Sequence, residues 1–325
     1  MQSISKRKAA VLVSALFGSV MSGAVMAQDT NFPTRPVTLI VGYTAGGGTD
    51  LLARAFTEKL GEHLGQTVIV ENKPGVSSIL GANYVAKAKP DGYTLLMGMS
   101  GPIVFNPGLY KSLPYDPQKD LTPVSLVASF PLVLFTQAEN KATSTMEGLV
   151  KYIKDNPDKA NYGSSSAAFQ LPSELFAAKA GVKLTNIPYK AASESLMAVM
   201  RGDAVLTIAD TPTGALNNPR VRPLAVTSGQ RMEERPEIPT LKELGYDVET
   251  ELFGGVFAPA GTPPAVIKKL NEAMQKTIAD PGVHAKIKAM SVRPESSTPE
   301  ALAERVAKEI PMWTDIARKA GIEPQ

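Results

Sequence analysis

Between residues 37 and 97 the chain alternates short β-branched runs with amphipathic stretches, and few folds accept that alternation. Val37–Val41 has no polar face and ends at Gly42, so it reads as a strand buried on both sides of a sheet. A glycine turn, Gly46-Gly47-Gly48, then leads into a helical stretch with Leu51, Leu52, Ala55, Phe56, Leu60 and Leu64 on one face. Thr49 or Asp50 is expected to cap this helix, because a short side-chain oxygen accepts an orphan N–H of the first turn. Thr67–Glu71 and Tyr93–Met97 repeat the strand pattern, separated by a helix opening at Ser77 or Ser78 and ending at Lys89. The unit returns after about 28 residues, as parallel strands joined by crossover helices require.

The rhythm resumes beyond residue 145. Helices are expected over 146–156, 172–180 and 193–201, and strands just before Tyr162-Gly163 and over 186–189, 204–208 and 224–227. Val124–Phe135 is a longer apolar run, placed to cross from one domain to another, and Phe253–Ala258 reads as a return strand. Helices over 264–278, 281–290 and 299–320 finish the chain, each with Pro near its first turn, where the missing N–H costs little. The expected fold is α/β with two lobes, each a mostly parallel sheet flanked by helices. Ligands of such sheets bind outside the carboxyl ends of the strands, so facing lobes form a cleft that a hinge can close.

A length of 325 residues fits two domains. The absence of Cys excludes disulfides, thiol nucleophiles and Cys-ligated metal, and His63 and His284, the two histidines, are too few for a His-rich site. No cofactor and no metal are expected. Lys6, Arg7 and Lys8, an apolar stretch from Ala9 to Met21 and the small-x-small Val25-Met26-Ala27 describe a signal peptide cleaved after Ala27, with the periplasm as destination. The chain has 34 basic and 31 acidic residues; removing the three basic residues of 1–27 leaves 31 against 31. A balanced chain offers nucleic acid no basic stripe.

Three polar loops are the candidate site. The first, Tyr43–Asp50, joins a strand to a helix. Gly47 and Gly48 let backbone N–H groups approach a ligand, and Thr49 and Asp50 sit at the helix start, where the partial positive charge favours an anion. The alternative is a tight turn with no ligand, and Asp50 as a cap. The second loop carries Ser100. The third, Gly163–Gln170, supplies Ser164, Ser165, Ser166, Phe169 and Gln170 before a helix expected at Pro172. Asp210 is the remaining cleft candidate. Gly163–Ala167 does not match G-x-S-x-G and no His is near in sequence, so an exported serine hydrolase using these serines is the lesser reading. The loops contain no Lys or Arg. Three to five charge-assisted hydrogen bonds, each about 1.5–3 kcal/mol, would still reach the roughly −8 kcal/mol of a micromolar complex.

The chain resembles the solute receptors of tripartite tricarboxylate transporters, the Bug family. The likeness rests on Phe32–Val37, Gly46–Arg54, Val70–Gly75, Pro90–Leu96, Leu113–Pro117, Tyr162–Ser165, Ile187–Lys190, Leu224–Ser228 and Phe257–Pro263, in that order. It implies a periplasmic receptor of two domains, 28–126 with 256–325 and 127–255, that binds a small organic acid without catalysis. It further implies delivery to membrane permease subunits; a sensor presenting ligand to a membrane kinase is the variant reading, and a monomer is expected. The resemblance points to Tyr43–Asp50, Ser100, Ser164–Gln170 and Asp210 as binding positions. Tyr43-Thr44-Ala45 stands where the family often has prolines, and Ala167-Ala168-Phe169 where it often has smaller polar residues. Tyr43 and Phe169 would suit an aromatic or otherwise hydrophobic acid, with Phe169 as a core anchor the alternative.

Overall fold

Segments without a polar face become the central strands. A computed structural model describes residues 31–210 and 215–325. In it β1 (Val37–Val41) lies between β2 (Val68–Asn72) and β3 (Thr94–Met99), parallel to both. Val37, Leu39, Ile40 and Val41 are all excluded from solvent, as a doubly covered strand requires. The expected signal segment 1–27 lies outside the described residues.

The first sheet has the order β11-β4-β10-β3-β1-β2, with β4 (Leu121–Pro131), β10 (Glu251–Pro259) and β11 (Arg293–Pro294) antiparallel to their neighbours. The second has the order β7-β6-β8-β5-β9, built from β5 (Val133–Gln137), β6 (Asn161–Ser164), β7 (Thr185–Pro188), β8 (Leu206–Ala209) and β9 (Val221–Val226). β6 runs parallel to β7 and β8, whereas β5 runs antiparallel to β8 and β9. Each lobe is thus an α/β sheet flanked by helices as expected, but the sheets are mixed rather than mostly parallel. The cause is connectivity. A parallel neighbour needs a crossover that carries the chain back. β4 instead leaves the first sheet and continues, after Leu132 alone, as β5 of the second; β10 makes the return journey, so the two run past each other in opposite directions.

The helices are α1 (Gly48–Leu64), α2 (Ile79–Ala86), α3 (Asn106–Leu109), α4 (Met146–Asp155), α5 (Ala167–Ala180), α6 (Ala192–Arg201), α7 (Pro264–Ala279), α8 (Pro281–Lys288) and α9 (Pro299–Lys319). α1 buries Leu52, Ala53, Phe56, Leu60 and Leu64 against the β1 layer and α7, while Leu51 points outward at 51% exposure, contrary to the expected face. Full burial of a side chain such as Phe56 is worth about 1.5–3 kcal/mol. α9 packs on β4 and α5, and its Trp313 meets Phe105 edge-to-face at 5.2 Å.

Thr227, just past β9, ties the two crossover points together. Its N–H donates to the Leu132 carbonyl at 2.9 Å and the Thr250 N–H donates to its carbonyl at 2.8 Å. Its hydroxyl accepts from the Leu132 N–H at 3.3 Å and donates to the Thr250 carbonyl at 2.7 Å.

Candidate functional site

The glycine turn after β1 is shaped by Asp50. Gly46 takes a φ of 78°, a left-handed conformation that glycine adopts without strain. The Asp50 carboxylate accepts from the Gly46 N–H at 2.9 Å, from Arg54 Nε at 3.0 Å and from Asn72 Nδ2 at 2.9 Å. Hydrogen bonding from Arg54 outweighs burial and, with Gly46 and Asn72, holds its pKa down at about 2. Asp50 is therefore buried and fully engaged. It does not cap α1 in the expected way: the cap is Gly47, with no side-chain bond, and the helix begins at Gly48. No side chain caps the opening N–H groups of α1, and the Asp50 carboxylate in the same turn is paired with Arg54.

α5 begins at Ala167, five residues before its expected start, so the serine run is a strand end and a helix cap rather than a loop. Pro172 lies inside the helix, where it cannot donate to the Ala168 carbonyl. One residue on, Ser173 Oγ donates to the Phe169 carbonyl at 2.8 Å. Ser166 is the cap residue; its carbonyl accepts from the N–H groups of Phe169 and Gln170, and its side chain makes no capping bond.

These two helix starts open on one cavity of about 620 Å³. Thr49 of α1 and Ser166, Ala167, Ala168, Phe169 and Gln170 of α5 line it, together with Tyr43 and Ser100. Burial pushes the Tyr43 hydroxyl up to about 12, against a smaller opposing effect of the Ser78 hydroxyl. Gly101 borders the Tyr43 hydroxyl oxygen: a Cβ there would stand 3.5 Å away. Ser100 is buried, and its hydroxyl is spent on β10, accepting from the Phe253 N–H at 2.7 Å and donating to the Phe253 carbonyl at 3.3 Å. Phe169 is half-buried, packing against the core while it lines the cavity.

Gly47, Gly48, Asp50, Ser164, Ser165 and Asp210 do not line this cavity. Ser164 Oγ donates to Asn186 Oδ1 at 2.7 Å, which ties β6 to β7. Asp210 ends β8 with Oδ1 buried and, among the described residues, without a partner; burial raises its pKa. The sequence reading missed Ser77, Asn106, Tyr110, Leu252, Phe253 and Ile322, all of which line the cavity. Asn106 opens an Asn-Pro-Gly run and Ser77 follows Pro74-Gly75, turn signals that could have marked them, whereas Leu252, Phe253 and Ile322 carry none. Residues 101–109, where the sequence predicts no helix, coil into a π-type turn and α3 directly after β3.

Among the described residues no Lys, Arg or His lines the cavity; Glu323 is the charged side chain there and is exposed. Polar groups from Thr49, Ser77, Ser166, Gln170, Asn106 and Tyr110 face an apolar wall of Phe105, Leu109, Phe169, Leu252, Phe253 and Ile322. Neither histidine reaches the serines here, since His284 lines a separate cavity and His63 lines neither. The arrangement can surround a small molecule with hydrogen-bond donors and an apolar wall, and among the described residues no histidine stands beside a lining serine.

A two-lobed α/β chain with such a cavity walled from both sheets has the architecture of a periplasmic solute-binding protein. The chain belongs to the tripartite tricarboxylate transporter family receptors, whose family model matches residues 52–322. It is 35% identical to a UPF0065 protein from the tcbD-tcbE intergenic region of Pseudomonas sp. strain P51, over 90% of this chain and 91% of that one. It is 32% identical to Protein BugT of Bordetella pertussis, over 92% and 93%. Among solved structures, R. palustris Rpa4515 with adipate is 34% identical, with a TM-score of 0.74 over 90% of this chain and 100% of that one. MatC of Rhodopseudomonas palustris with bound malate is 28% identical, with a TM-score of 0.69 over 88% and 99%. The family is one of transport receptors and implies a periplasmic location.

Proposed function

We propose that this chain captures a small organic acid, with its carboxylate at the opening turns of α1 and α5 and its body against the apolar wall. The observation that carries the reading is the convergence of Thr49 and Ser166–Ala168 on one cavity. Two helix starts contribute about 0.3–2 kcal/mol each toward an anion, and hydroxyl and amide donors add the rest. Adipate and malate in the two structural relatives agree with a carboxylate. The apolar wall and, among the described residues, the lack of a cation favour an aromatic or otherwise hydrophobic acid over a tricarboxylate. A cavity of about 620 Å³ accommodates such a molecule.

In this reading the two sheets are the cores of the two lobes, with the hinge at Leu132 and Thr250. Export follows cleavage after Ala27, the receptor works as a monomer, and it hands its ligand unaltered to a membrane permease. Calorimetry of the mature chain against a panel of organic acids tests it. Saturable heat with benzoate-type or long-chain acids is expected. Heat with citrate alone would refute the hydrophobic body; silence across the panel would refute the carboxylate.

A further inference from the structure

We propose that Tyr110 sets the longest acid the site accepts, an inference that rests on the carboxylate reading above. Its side chain stands between the ligand cavity and a neighbouring cavity of about 560 Å³, and among the described residues it alone lines both. Chain order puts it there. α3 ends at Leu109, and the backbone turns extended at Tyr110. Asn106 and Leu109, before that turn, wall the ligand cavity; Lys111, Leu113 and Pro114, after it, wall the neighbouring one.

The ring is held at both ends. Its hydroxyl shares a hydrogen bond with Ser77 Oγ at 2.8 Å. Ser77 is held in turn: Asn106 Nδ2 donates to its carbonyl at 3.1 Å, and Ser77 and Ser78 keep left-handed φ values of 47° and 61°, which non-glycine residues retain only where the surroundings impose them. On the backbone side, the Tyr110 N–H donates to the Asn106 carbonyl at 3.1 Å. The Gln325 N–H donates to the Leu109 carbonyl and the Lys111 N–H donates to the Gln325 carbonyl, both at 2.9 Å. A side chain tied at its hydroxyl and along its backbone is a fixed stop for a molecule lying against the apolar wall. Behind it, Pro107, Leu113, Pro114, Pro117 and Ile310 line apolar space. The charged residues there are Asp116 and Asp120 against Lys111. That surplus of carboxylates repels a ligand carboxylate, so the hydrocarbon end of the acid points at Tyr110.

Calorimetry of the mature chain with straight-chain monocarboxylates from butanoate to dodecanoate tests the proposal. In the parent, affinity should rise about fourfold per buried methylene and then fall at one chain length, where the terminal methyl meets Tyr110. Tyr110→Ala should move that limit outward by at least two carbons, so that the first acid the parent rejects binds at least tenfold more tightly. Adding Leu113→Trp to Tyr110→Ala fills the neighbouring cavity and should restore the parent's limit. Near-ultraviolet circular dichroism verifies folding, with Pro114→Trp as the substitute if the Leu113→Trp protein does not fold. The same limit in Tyr110→Ala as in the parent, uniform weakening of every acid, or a double variant that keeps the longer limit would each overturn the proposal while leaving the carboxylate reading intact. Silence of the parent towards the whole series would refute that reading and this proposal with it.

Discussion

Replacing Asp50 with Asn removes the charge from the carboxylate that fastens the glycine turn to α1. Three donors converge on it: the Gly46 N–H, Arg54 Nε and Asn72 Nδ2. Together, and led by Arg54, they bring its pKa from 3.8 to about 2. At about 1.4 kcal/mol per pH unit, that gap is worth about 2 kcal/mol. The folded value lies below the unfolded one, so this stabilisation is complete above the unfolded value and disappears as pH falls through the folded one. About half of it is gone at pH 3. Asp50→Asn is therefore expected to lose about 2 kcal/mol at pH 7, near 4 °C in Tm for a chain of this size. Urea unfolding of both proteins at pH 7 and pH 3 measures the effect, and the difference between them should shrink by about half at the lower pH. A variant as stable as the parent at pH 7 that no longer binds an organic acid would refute the reasoning, because Asp50 would then be touching ligand.

Ser100→Ala leaves the buried Phe253 N–H without its acceptor and is expected to cost about 1–3 kcal/mol in urea unfolding. Ser166→Ala removes a hydroxyl that makes no capping bond, so stability should change by less than about 0.5 kcal/mol while affinity for an organic acid falls in calorimetry. Phe169→Ala should weaken hydrophobic acids about tenfold through lost apolar contact, read in the same titration. Asp210 titrates above the ordinary carboxylate range because it is buried, so its contribution is present below the unfolded pKa and lost as pH rises through the folded one. Asp210→Asn should therefore flatten the stability curve on that rising side and be at least as stable as the parent at pH 7.

The sequence by itself determined the elements and their class. Val37–Val41 reads as a covered strand because its residues other than Thr38 are apolar and none gives it a charged face, and the glycine turn after it set the start of α1 to within two or three residues. The order of short motifs from Phe32 to Pro263 carried the family, since each is local and survives without knowledge of the fold. Local signals misled where long-range partners decided. Asp50 looks like a cap until Asn72, on another strand, is brought to it. Pro172 looks like a helix start until α5 is seen to form ahead of it, with Leu171 and Phe176 buried in the core. The antiparallel pairing of β4 with β10, the meeting of the α1 and α5 starts, and the apolar wall supplied by Leu252, Phe253 and Ile322 were decided by tertiary structure alone. Residues far apart along the chain become neighbours only when the crossover strands fold together, and no periodicity in either segment records that meeting.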